Sequence, residues 1–81
     1  MKSYQVIGGQ YEFYWYGESD TLRGAKSIAT RHEEYWDNHQ GWHTPRIYKA
    51  DDVREIESHG YITHRDGEMI RIPKQWAEPV A

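Results

Sequence analysis

The run "YEFYWY" at residues 11–16 constrains the fold of this chain more than any other stretch. Its aromatic side chains favour a pleated surface, and successive residues of a strand point to opposite faces. The alternation predicts that Tyr11, Phe13 and Trp15 meet the core, while Glu12, Tyr14 and Tyr16 form the wetter face. Just before it, "KSYQVI" (2–7) places Tyr4, Val6 and Ile7 in a second strand-like run. The intervening "GGQ" supplies Gly8 and Gly9, which tolerate positive φ. Together the two runs read as an N-terminal β-hairpin.

The next segment is helical. Ser19, Asp20 and Thr21 are candidate caps, able to accept hydrogen bonds from backbone donors at a helix start. Behind them Leu22, Ala25, Ile28, Ala29, His32, Tyr35 and Trp36 recur at three- and four-residue spacing as an apolar stripe. The helix is expected to reach about Asn38 or His39, with Gly41 just beyond its end. Gly24, unfavourable inside a helix, is expected where a strand approaches closely. "RIYKA" (46–50) reads as a third strand after Pro45. "DDVREIESHG" reads as one or two helical turns, with a capping-box-like Asp52 to Glu55 spacing and Gly60 as stop. "YITHRDGEMIRI" reads as a second hairpin, turned at Asp66-Gly67 in a type I′ geometry. The predicted fold is α+β, a small antiparallel sheet packed against one main α-helix. Two β-hairpins and a middle strand follow in the order ββαβ, short helix, ββ. Residues 1–76 form a single domain, and 77–81 a short C-terminal tail that is either pinned by Trp76 or disordered.

Composition narrows the functions. In 81 residues there is room for one domain and a small core, so four Trp, seven Tyr and one Phe must supply much of the buried area. With no cysteine, disulfides, thiolate metal sites and cysteine nucleophiles are excluded. A net charge of −3 without a basic block argues against a dedicated phosphate-gripping nucleic-acid binder. The start "MKSYQVIGGQ" lacks a signal-peptide core and no window approaches a membrane span, so a cytoplasmic location without membrane contact is expected.

Catalytic signatures are absent. His32, His39 and His43 lie near Glu33, Glu34 and Asp37, all metal-ligating types, but their spacing does not bring a ligand set to one helix face and no HExxH occurs. The adjacent pairs Glu33-Glu34 and Asp51-Asp52 diverge on a helix, and no GxSxG, Walker loop or GxGxxG is present. Neither metal nor cofactor is expected, and a small metal-dependent hydrolase ranks last among the functions.

The densest candidate site is "EYWDNHQGWHTPRIY" (34–48). One reading is structural, with Tyr35 and Trp36 finishing the helix stripe and Trp42 folding back over the core. The other is functional: Trp42, His43, Arg46 and Trp36 form an exposed patch beside the acidic Glu33 and Asp37, and Trp, Tyr and Arg are the residues enriched at binding hot spots. Both hold together if Trp36 lies inside and Trp42 or His43 outside.

A hairpin followed by "SDTLRGAKSIATRHEEY" and a strand resembles small single-domain proteins of bacteria, phages and prophages, in which a helix of the "xSLxxAKxxA" type crosses an antiparallel sheet. Some of these are similar in size and style to phage-encoded anti-CRISPR inhibitors. The resemblance spans about residues 2–50 and carries no functional residues onto this chain. It implies a non-catalytic module, phage or mobile-element encoded, that acts stoichiometrically on a host protein such as a defence component. A single-stranded nucleic-acid binder using an aromatic sheet face is the alternative, and self-association into a homodimer is a further expectation.

Overall fold

The computed structural model describes residues 1–9, 12–33 and 44–81. Among them the chain runs β1 (Tyr4–Gly8), β2 (Tyr14–Ser19), α1 (Leu22–Glu33), β3 (Arg46–Lys49), a single 3-10 turn (Ala50–Asp52), β4 (Val53–Glu57) and β5 (Met69–Pro73). The element order matches the expected ββαβ, short helix, ββ, but the strands divide into two antiparallel sheets instead of one. The first has the order β2-β1-β3 and the second is the β4-β5 hairpin.

The helix begins where its cap was read. The Thr21 hydroxyl accepts the Gly24 N–H at 3.1 Å, and the Ser19 hydroxyl accepts the Thr21 N–H at 3.2 Å. Gly24 sits against the end of β2, where a Cβ would fall 2.1 Å from the Ser19 hydroxyl. Leu22, Ala25, Ile28 and Ala29 pack on Val6 of β1 and Ile47 of β3, with Tyr4 and Tyr16 at the margin. Val6, Ala25 and Ile47 are fully buried or nearly so. Burying Val6 and Ile47 contributes roughly 1.5–3 kcal/mol each.

The faces of β2 are not those the alternation implied. Val6 pairs with Gly17 and Ile7 with Trp15, so Tyr16 is the extra residue of a β-bulge. The bulge turns Tyr16 toward the core, while Trp15, expected inside, is 45% exposed on the other face. Gly17 makes this packing feasible: its φ is +154°, and a Cβ there would press on Ile28 of α1 at 3.3 Å.

The second hairpin also differs from expectation. "VREIE" is a strand, not a helical turn, and the Asp52–Glu55 spacing forms no capping box: the 3-10 turn has no side-chain cap. Pairing with Met69–Pro73 outweighs local helical spacing, because the ladder satisfies the backbone and buries Val53, Ile70 and Ile72. Residues 58–68 connect the two strands. Ser58, fully buried, closes this loop: its N–H donates to Glu68, its carbonyl accepts from Gly67, and its hydroxyl donates to the Arg65 carbonyl. Asp66-Gly67 does make a turn, closed by Glu68 N–H to Arg65 at 3.1 Å. Only Gly67 has positive φ (+86°), so the turn is not type I′, which needs it at both central residues.

The C-terminal residues run along β3. Val80 N–H donates to Ile47 at 2.7 Å and Ile47 N–H to Ala81 at 3.1 Å. Trp76 is not their anchor, being 88% exposed with a φ of +74°. No described helix is long and apolar enough to cross a membrane.

Candidate functional site

Where the hairpin β4-β5 meets the face of β1 and β2 opposite α1, the structure builds a polar cluster. Cross-strand partners share a face, so Gln5 and Ile7 of β1 lie beside Glu18 and Trp15 of β2. Gln5 is fully buried and uses both ends of its amide. Its nitrogen donates to the Lys2 carbonyl (2.7 Å) and the Glu18 carboxylate (3.0 Å). Its oxygen accepts from the Trp15 indole N–H (2.9 Å) and from Arg71 Nη1 of β5 (2.8 Å). Arg71 also pairs with Glu18 at 3.1 Å and Glu55 at 3.6 Å, and its guanidinium lies over the Trp15 ring, 4.8 Å from the centroid. The Lys2 N–H, the Gln5 amide and then Arg71 hold the Glu18 carboxyl down to about 2.

These contacts fix one wall of a cleft of about 410 Å³. Phe13, Tyr14 and Trp15 line it from the β2 side, Met69, Ile70 and Arg71 from β5, Glu55 from β4, and His64 and Glu68 from the 58–68 loop. Trp15 and Met69 are apolar residues left in solvent, the latter 55% exposed. The loop carrying His64 is tied to the start of β2 by Glu12. Its carboxylate accepts the Ile62 N–H (2.8 Å), the Thr63 N–H (3.3 Å) and the Thr63 hydroxyl (2.6 Å). The Thr63 hydroxyl bond above all, then that of Ile62, keeps the Glu12 carboxyl below its usual range. His64 lies between Tyr14 and Tyr61, ring centroids 5.6 and 5.7 Å away.

On the far side of the sheet, Tyr16 packs its ring on His32 of α1 at 5.0 Å, and burial pushes its hydroxyl pKa up. That contact continues the helix stripe and belongs to the core.

Of the residues chosen from the sequence, Glu33 is exposed at the last described position of α1 and Arg46 is exposed at the start of β3. Neither lines the cleft. Trp36, Asp37, Trp42 and His43 lie outside the described residues. The cleft residues Glu55, His64, Glu68, Met69 and Arg71 were missed. Glu55 and Arg71 face each other only once 53–57 is a strand, and no local pattern signals that pairing. Among the described residues no group of three or more His, Asp or Glu gathers as a metal site. Comparison with protein-family models, curated proteins and solved structures finds no match to this chain.

Proposed function

We propose that this chain is a non-catalytic protein-binding module that docks a segment of its partner in the cleft between β2 and β5. The supporting observation is the state of Trp15: half exposed, yet held by an indole hydrogen bond to buried Gln5 and by the Arg71 guanidinium over its ring. An aromatic fixed before binding loses little freedom on association, which is the property of a hot-spot residue. Phe13, Tyr14 and Met69 line the same cleft. The chain acts stoichiometrically, and the partner class is a host protein such as a CRISPR-type defence component, as the resemblance of its hairpin-helix-strand order implies.

The test is capture from a nuclease-treated bacterial lysate with the wild type and Met69→Glu side by side. Met69 is exposed, so the substitution leaves stability nearly unchanged while placing a charge in the apolar wall. A protein retained by the wild type and lost with the variant supports docking in the cleft. Equal retention by both refutes it. Capture that nuclease abolishes favours single-stranded nucleic acid on the sheet face instead.

A further inference from the structure

The cleft wall is rich in acceptors, and the reason lies in the chain Glu12–Thr63–His64. A threonine hydroxyl has one proton. Thr63 gives it to the Glu12 carboxylate at 2.6 Å, so toward His64 Nδ1, 3.0 Å away, the same oxygen must accept. His64 therefore carries its proton on Nδ1, and in the neutral ring Nε2 is the lone-pair nitrogen. Glu55 and Glu68 add carboxylates to the same cleft. The one cationic group among its described lining residues, Arg71, is already engaged by Gln5, Glu18 and Glu55. Two lining carboxylates, Glu55 and Glu68, thus stand with one guanidinium that Glu18 also neutralises, beside the Trp15 ring that already receives that guanidinium.

Acceptors beside π faces recognise cations. We propose that the cleft takes a lysine or arginine side chain projecting from an apolar segment of a protein partner, the apolar part resting on Phe13, Trp15 and Met69 and the cation held by Glu68, Glu55 and His64 Nε2. This names the chemistry of the partner and rests on the docking reading above.

The experiment is an NMR titration of the full ¹⁵N-labelled chain with two capped dipeptide amides at millimolar concentration, Phe-Arg and Phe-Glu. The Trp15 indole signal and the Met69 and Ile70 amides are followed. Phe-Arg is expected to shift these signals saturably and Phe-Glu to leave them in place. His64→Phe, which keeps an aromatic ring beside Tyr14 and Tyr61, and Glu68→Gln should each weaken Phe-Arg binding several-fold. Equal binding of the two dipeptides, or no binding of Phe-Arg, overturns the cationic assignment. Docking in the cleft is judged separately, by whether Met69→Glu loses the captured protein, so the two readings fail independently.

Discussion

Replacing Gln5 with leucine probes the join between the two sheets, because Gln5 is fully buried and bonds to four groups. Two of its partners, Glu18 and Arg71, are charged, and such bonds contribute about 1.5–3 kcal/mol each, against about 1 kcal/mol for each neutral bond to Lys2 and Trp15. The gross loss is therefore about 5–8 kcal/mol. Leucine is apolar and of similar size, and its burial returns about 2 kcal/mol. Glu18 and Arg71 keep each other at 3.1 Å, and Glu18 keeps the Lys2 N–H at 2.8 Å, so neither charge is stranded. The net expectation for Gln5→Leu is a destabilisation of about 3–6 kcal/mol. A domain of this length is stable by about 4–12 kcal/mol, so the variant folds marginally if at all. Urea unfolding followed by tryptophan fluorescence reads this directly: with a slope near 1.5 kcal/mol per molar, the midpoint falls by about 2–4 M. A double-mutant cycle with Arg71→Met should return a coupling of about 1–3 kcal/mol. A midpoint within about 0.5 M of wild type would refute the reasoning, since a network that lies open to water loses little when one member becomes apolar.

Acid should weaken the same join. The Glu18 carboxyl is depressed in the fold from the ordinary 4.5 to about 2, so its stabilisation is complete above the ordinary value and drains away as pH falls toward 2. Urea midpoints at neutral pH and near pH 2.5 should differ less in Glu18→Gln than in the wild type. Gly9→Ala should destabilise severely, because φ is +116° and a Cβ would fall 1.9 Å from the Glu12 backbone oxygen. Gly67→Ala, with φ of +86° and nothing within 4 Å, meets only the backbone cost of about 1–3 kcal/mol, which thermal unfolding would show as the smaller loss. Trp76→Gly should leave the fold intact and raise the melting temperature slightly, since it removes an exposed ring and suits the φ of +74°; a clear loss of stability would mean that Trp76 packs on the domain.

The first hairpin and the helix were legible because their signals are local. Gly8-Gly9 separates two β-type runs, Thr21 caps the helix it precedes, and Leu22, Ala25, Ile28 and Ala29 keep a single buried stripe. The faces of β2 were not legible, since a bulge adds one residue and moves Tyr16 and Trp15 to sides that strict alternation does not assign. β4 was missed for a related reason. Val53 and Ile56 stand three apart, as on a helix, and only the partner strand at 69–73 decides otherwise. Asp66-Gly67 marked a true turn but drew the strands too close to it, where the chain instead closes a loop on buried Ser58. The cleft was least legible of all: Arg71 meets Gln5 across a separation of 66 residues, and nothing in either segment points to the other.

Docking between β2 and β5 is tested most directly by placing a photoreactive phenylalanine analogue at Met69, which lines the cleft, or at Lys26, exposed on α1, and irradiating each in a bacterial lysate. A discrete protein adduct from position 69 that is absent from position 26 is the predicted result. An adduct formed from position 26 and not from position 69 would put the partner on the helix and contradict a docking cleft.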